Sequence, residues 1–149
     1  MGIADADSAE HGQGSNNLVI YPVVCAVQQR PAGAPKLSGG LRVHIEPKSI
    51  ARLIYKSHDV EEEFFCNYEV NPAYESRRQD AGLRFSARGG QGEVRAAELA
   101  NHRFFLATLF QPQLSSTAEN PHPVVMAFVK AAAEFSRMRI SEWEMRNGE

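Results

Sequence analysis

Cysteine is scarce in this chain, and several features of secreted, membrane-spanning and nucleic-acid-binding proteins are missing from its sequence. Two cysteines among 149 residues cannot build a disulfide framework, so a reducing compartment, the cytoplasm, is expected. No run approaches the ~20 consecutive apolar residues of a membrane-spanning helix, and the acidic N-terminus lacks the basic and apolar regions of a signal peptide. The formal net charge of -2 gives no general attraction to nucleic acid or anionic membranes.

Common motifs for binding phosphates or metals, or for attacking esters, are also absent from the sequence. Gly89, Gly90 and Gly92 fit a hairpin turn and form neither a GxGxxG pattern nor a P-loop. No Gly-x-Ser-x-Gly nucleophile elbow occurs. The five histidines are scattered without metal-ligand spacing, so neither a metal nor a cofactor is expected. His122 lies between two prolines and is interpreted as a turn residue.

Hydrophobic patterning predicts one domain that mixes strands and helices. The 43% hydrophobic content can supply a core, and 149 residues are too few for two comfortable domains. Strands are expected at 18–27, 41–45, 64–70, 83–87, 93–99 and 104–110, the last as a central strand because it is almost wholly apolar. Helical segments are expected at 49–55, from Asn71 to Gly82, and from Pro123 onward, with loops at 1–16 and 31–40. The tail either extends the last helix or frays.

Two short blocks are the most informative part of the sequence. Residues 66–71 read Cys-Asn-Tyr-Glu-Val-Asn, and residues 110–114 read Phe-Gln-Pro-Gln-Leu. Two further blocks accompany them, at residues 2–10 (Gly-Ile-Ala-Asp-Ala-Asp-Ser-Ala-Glu) and 81–86 (Ala-Gly-Leu-Arg-Phe-Ser). In this order the four blocks resemble the closing region of class I glutamine amidotransferase domains, in particular those of the CTP synthase type.

This resemblance implies a fold and a partner. It implies an α/β fold, the second half of a flavodoxin-like class I amidotransferase sheet with a β-hairpin extension. Residues 1–136 would form a partial amidotransferase-like domain, and 137–149 a helical extension or tail. The family's nucleophile turn precedes the region that Met1 matches, so the chain is expected to be a C-terminal half, either a shortened gene model or a true fragment. The missing half or a complete amidotransferase or synthase subunit is the expected partner, with a homo-oligomer as a further expectation.

The resemblance also implies that glutamine hydrolysis has been lost. The family's catalytic triad is Cys-His-Glu, and its histidine and glutamate positions are here Gln111 and Gln113. A carboxamide is neither a useful base near neutral pH nor a partner for an imidazolium ion. Asn67 stands where the family has an arginine that pairs with the glutamine carboxylate, so substrate binding at Asn67 and Tyr68 is expected to be weak. A binding or regulatory role linked to pyrimidine nucleotide biosynthesis is then expected for this relative of a ligase.

Cys66 supports an alternative hypothesis of a different class. It occupies a family histidine position, and a diverged amidotransferase-like protein could use its thiol for redox chemistry. Reactive thiols need nearby cations or a helix N-terminus, whereas residues 61–63 are three glutamates and residues 64–65 are phenylalanines. These neighbours favour an ordinary buried thiol, and both interpretations stay open at this point.

Overall fold

A computed structural model describes residues 3–11, 16–22 and 38–147 of the chain. The strands are β1 Ala6–Ser8, β2 Asn17–Pro22, β3 Ser38–Ile45, β4 Asp59–Phe65, β5 Tyr68–Val70, β6 Leu83–Gly89, β7 Val94–Leu99 and β8 Leu106–Thr108. The helices are α1 Ile50–Tyr55, a 3₁₀ helix Pro72–Ala81, α2 Pro112–Ser115 and α3 Pro123–Asn147.

The described strands form two sheets of different character. The larger has five strands in the order β4-β3-β6-β7-β8, and every neighbouring pair in it is antiparallel. The smaller has the order β1-β2-β5, in which β1 runs parallel to β2 and β5 runs antiparallel to it. The mixed α/β fold class expected from the sequence is therefore confirmed.

The hydrophobic core belongs to the five-stranded sheet. Alternation along β3 directs Val43 and Ile45 inward, and both are buried. Small residues on the neighbouring strands let helix α1 and the chain after β8 approach the sheet closely. The cluster of buried residues contains Val43, Ile45, Ala51, Ala87, Ala96 and Phe110.

Helix α1 is held over this sheet by polar contacts at its first turn. The Ser49 side chain accepts a hydrogen bond from the Arg52 backbone N–H at 2.9 Å, an N-cap interaction. The carboxylate of Glu98 on β7, 2% exposed, accepts from the backbone N–H groups of Ile50 at 2.8 Å and Ala51 at 3.4 Å. These bonds satisfy N–H groups that have no partner within the helix.

Several local predictions are confirmed. The predicted hairpin is the β6–β7 pair, and Gly92 supplies the left-handed turn residue with φ of +84°. The Asn71 side chain accepts from the Ala73 N–H at 3.0 Å, although the helix that follows is 3₁₀ and not α. Helix α3 begins at Pro123 and continues to Asn147, so the described part of the tail extends it. The proposed domain boundary at residue 136 stays a prediction.

Two strand predictions and two loop predictions need correction. The expected strand at 64–70 is two strands in different sheets, because β4 ends at Phe65 and β5 begins only at Tyr68. The expected central strand at 104–110 is short and lies at the sheet edge as β8; helix α3 helps cover its flank, where the Phe104 and Phe128 rings lie 5.9 Å apart. The loop expected at 1–16 contains strand β1 at Ala6–Ser8, which pairs with β2, and the loop expected at 31–40 already gives way to β3 at Ser38. Residues 23–27 and 31–37 lie outside the described part of the chain.

Candidate functional site

Gln111, which the sequence resemblance predicts at the position of the family's catalytic histidine, is tied to strand β4 by two hydrogen bonds. Its backbone N–H donates to the carbonyl of Glu63 at 2.8 Å. Its side-chain Oε1 accepts from the backbone N–H of Phe65 at 2.6 Å. Because β4 is an outer strand of its sheet, these bonds satisfy strand groups that no further strand pairs with. The carboxamide of Gln111 therefore serves strand pairing.

Gln113, predicted at the position of the family's glutamate, does not share these bonds to strand β4. It lies on helix α2 and its side chain is exposed. Gln111 stands at the N-cap of the same helix without capping it through its side chain. The two predicted triad positions are therefore adjacent in the fold, but only Gln111 bonds to the strand leading to Cys66.

The residues between β4 and β5 lie close to Gln111. Cys66 follows Phe65 directly, and its sulfur accepts from the Tyr68 backbone N–H at 3.4 Å. The thiol is half-buried, whereas its sequence neighbours favoured a buried one. Asn67 and Tyr68 are also half-buried. The structure therefore brings Cys66, Asn67, Tyr68 and Gln111 to one region, with Cys66 partly accessible.

A histidine–carboxylate pair exists elsewhere in the fold, and it is buried. His122 Nε2 lies 3.0 and 3.1 Å from the two carboxylate oxygens of Glu62, with the residues 7% and 4% exposed. The Tyr55 hydroxyl donates to the same carboxylate at 2.5 Å. The cluster joins α1, β4 and the start of α3. It corrects the interpretation of His122 as a simple turn residue.

Hydrogen bonding fixes the protonation pattern within this cluster. The Val124 backbone N–H donates to His122 Nδ1 at 3.2 Å, so the ring proton sits on Nε2 and points to Glu62. Burial, followed by the hydrogen bond and the charge of Glu62, raises the pKa of the Tyr55 phenol well above its ordinary value. The cluster links α1, β4 and the start of α3 and keeps Tyr55 protonated. We interpret its role as structural.

One feature of the sequence points to this cluster. Glu62 stands in a β-strand between Glu61 and Glu63, and alternation directs one of three consecutive residues to the opposite face. Glu61 and Glu63 are exposed, whereas Glu62 is buried. Its partner His122 is 60 residues away along the chain, so no local pattern could pair them.

The remaining polar candidates lie apart from one another within the described ranges. No group of three or more metal-ligating side chains occurs there. His44 pairs with Asp59 at the surface, and Cys25 lies outside the described residues. A cavity of about 710 Å³ borders Tyr21, Glu69 and Arg95 and does not include the predicted site residues. No helix in the described ranges is long and apolar enough to cross a membrane.

Known proteins include relatives that match most of this chain. No family model matches the chain. A CTP synthase of Methanospirillum hungatei is 40% identical over 131 residues, which is 88% of this chain and 24% of the relative. A CTP synthase of Flavobacterium johnsoniae is 34% identical over 89% of this chain and 25% of the relative. The chain thus spans about a quarter of the length of these curated relatives.

A solved structure gives the matching fold. The glutaminase domain of Trypanosoma brucei CTPS, solved with bound acivicin, superimposes with a TM-score of 0.80 at 36% identity. The match covers 89% of this chain and 52% of that chain. This chain is a homologue of the CTP synthase glutaminase domain, a class I glutamine amidotransferase. A putative GMP synthase subunit of Thermoplasma acidophilum, at 13% identity and a TM-score of 0.52, shares the fold alone.

Proposed function

We propose that this CTP synthase-like chain is a glutamine amidotransferase module that no longer hydrolyses glutamine and has a binding or regulatory role. The Gln111 carboxamide carries the proposal. At the position of the family base it has no lone pair of useful basicity, and its oxygen is already bonded to the Phe65 N–H. Gln113 is exposed and cannot act as the carboxylate that orients an imidazolium ion.

The buried His122–Glu62 pair does not replace this lost chemistry. A general base must lie within hydrogen-bond reach of the proton that it abstracts. His122 is 7% exposed, and both of its ring nitrogens are engaged, with Glu62 and with the Val124 N–H. The pair therefore has acid–base groups without access to a substrate.

Ammonia release from glutamine tests the proposal. We expect the purified chain, the Cys66→Ser variant and the double variant Gln111→His with Gln113→Glu to release ammonia at the same background rate. The Cys66→Ser variant is the matched control for a thiol-dependent reaction. Release by the parent chain that Cys66→Ser abolishes would contradict the proposal.

A thiol-based activity at Cys66 is a second candidate. The favourable observation is that the Cys66 thiol is half-buried, with the Tyr68 N–H directed at its sulfur at 3.4 Å. Alkylation of the folded chain near pH 6 distinguishes the candidates. Labelling of Cys66 faster than that of a free peptide thiol supports redox chemistry, whereas slower labelling supports a structural thiol.

The proposal also includes a binding partner for the chain and its location in the cell. A binding module needs something to bind, and a complete amidotransferase or synthase subunit, or the remaining part of a glutaminase domain, fits its homology. Self-association to a homo-oligomer is the competing arrangement. The small number of cysteines suits a cytoplasmic setting, where thiols stay reduced.

A further inference from the structure

Helix α3 packs on the rest of the fold along one side. Val124 in its first turn is buried, and Ala131 two turns later is half-buried. On the neighbouring side, the Arg103 guanidinium carbon lies 4.4 Å from the centre of the Phe135 ring. Residues before β8 therefore extend the contact that Val124 begins, and they use only part of the helix circumference.

The opposite side of α3 carries an exposed stripe of mainly apolar residues, here called the α3 stripe. Its members are Met126, Val129, Ala133, Ser136, Ile140 and Trp143. All six are exposed, and the four large ones are exposed by 50–67%. They recur three and four residues apart, which is the spacing of the seam between paired helices. At 1.5 Å per residue the stripe is ~26 Å long, so it offers a continuous surface to a second helix.

The α3 stripe is complementary to itself when two copies run in opposite directions. A two-fold axis midway between residues 134 and 135 aligns all six positions. The resulting pairs are Met126 with Trp143, Val129 with Ile140, and Ala133 with Ser136 of the second copy. Large side chains then meet at the two ends, and small ones at the centre let the axes approach to the ~8–10 Å of packed helices.

We propose that the chain forms a homodimer through antiparallel pairing of two α3 stripes. The contact is isologous, because each copy contributes the same six positions. The sequence of α3 contains four basic and three acidic residues, so the helix has little attraction for a strongly charged partner. The inference gives the homo-oligomer considered above a specific surface, and it does not depend on the loss of glutamine hydrolysis.

This register has one electrostatic cost, which also identifies it. Lys130 and Arg137 directly follow stripe residues and flank the same side of the stripe. In the antiparallel pair Lys130 comes near Arg137 of the second copy, and like charges repel. Glu134 lies about one turn from both on the same helix and offsets part of this repulsion. In a parallel pair Lys130 would instead lie beside Val125 of the second copy.

Sedimentation equilibrium of the full chain over a concentration series tests the inference. We expect a reversible monomer–dimer equilibrium. Ile140→Lys places a charge opposite Val129 and should raise the dissociation constant of the dimer at least ~10-fold. The matched control is Met145→Lys, at a residue 78% exposed on the other side of α3, and it should leave the constant unchanged.

Both positions are exposed in the monomer, so both variants should keep the circular dichroism spectrum of the parent chain. Equal dissociation constants for Ile140→Lys and Met145→Lys would overturn the inference, because self-association would then use another surface. A parent chain that stays a monomer throughout the series would also overturn it.

Charge reversal beside the stripe tests the antiparallel register. Lys130→Glu turns two repulsive contacts with Arg137 into attractive ones and should lower the dissociation constant about 3-fold or more. Adding Arg137→Glu to that variant restores like charges and should remove the gain. An unchanged or higher dissociation constant for Lys130→Glu would contradict the antiparallel pairing.

Discussion

Strand β4 carries two polar arrangements that differ in burial and in chemistry. Near its end, the Phe65 N–H donates to the half-buried Gln111, the predicted position of the family's catalytic histidine. Earlier in the strand, Glu62 faces inward and holds His122 and Tyr55 in a buried cluster. The accessible position thus lacks acid–base groups, and the position with acid–base groups is closed to substrate. The comparison shows that a histidine–carboxylate pair indicates catalysis only where a reacting atom can reach it.

Breaking the buried cluster should have the largest effect on stability. Glu62→Ala removes the acceptor of both the His122 and the Tyr55 hydrogen bonds and leaves a buried imidazole and a half-buried phenol without this partner. We expect the free energy of unfolding to fall by about 2–3 kcal/mol in denaturant titrations, because neutral donors lose their acceptor. Glu61→Ala is the matched control, since its pair with Arg42 is about two-thirds exposed and is worth at most ~1 kcal/mol. Equal losses in the two variants would mean that burial does not distinguish these carboxylates.

Removing only the phenol of the cluster should have a smaller, pH-dependent effect. Burial, then the hydrogen bond and charge of Glu62, raises the pKa of Tyr55 above its ordinary 10.0 in the folded chain. Its contribution is therefore complete below pH 10 and is lost as the pH rises, at up to ~1.4 kcal/mol per pH unit, because only the unfolded phenol ionises there.

Tyr55→Phe measures this contribution directly. We expect a loss of about 1 kcal/mol at pH 7 and a shallower decline of stability above pH 10 than in the parent chain. Tyr74→Phe, at a tyrosine that bonds Asn17 outside the cluster, serves as the control. Identical alkaline slopes for the parent and Tyr55→Phe would show that Tyr55 ionises normally in the folded chain.

Altering the accessible position should have the smallest effect. Gln111→Leu removes the acceptor for the Phe65 N–H and should cost about 1 kcal/mol. Gln111→Glu keeps an acceptor oxygen, and Gln113→Leu changes an exposed side chain, so each should stay within ~0.5 kcal/mol of the parent. If Gln111→Leu is as stable as the parent, the bond to β4 contributes nothing.

Sequence patterns predict the local parts of this fold well. Turn glycines and alternation locate the β6–β7 hairpin, and helical spacing after Pro123 locates α3. The motif resemblance gives the fold class and marks Gln111 as a position of interest. These features depend on residues that are near one another in sequence, or on the short motif blocks that carry the family resemblance.

The remaining features depend on distant contacts. The break between β4 and β5 falls inside a run that reads as one strand, and which sheet each piece joins is decided by β3 and β2. Leu106–Thr108 is an edge strand because no further strand pairs beside it in the described fold. The His122–Glu62 pair spans 60 residues, so burial and not periodicity defines it.

Glutamine hydrolysis by the folded chain is the most direct test of the contrast between the two arrangements. Ammonia release should be followed for the parent, for His122→Ala at a buried histidine, and for His102→Ala at an exposed one, at a temperature where circular dichroism shows all three folded. We predict background release from all three. Substrate cannot reach the buried His122–Glu62 pair, and the Gln111 carboxamide cannot act as a base. Release by the parent that is lost in His122→Ala and kept in His102→Ala would contradict this.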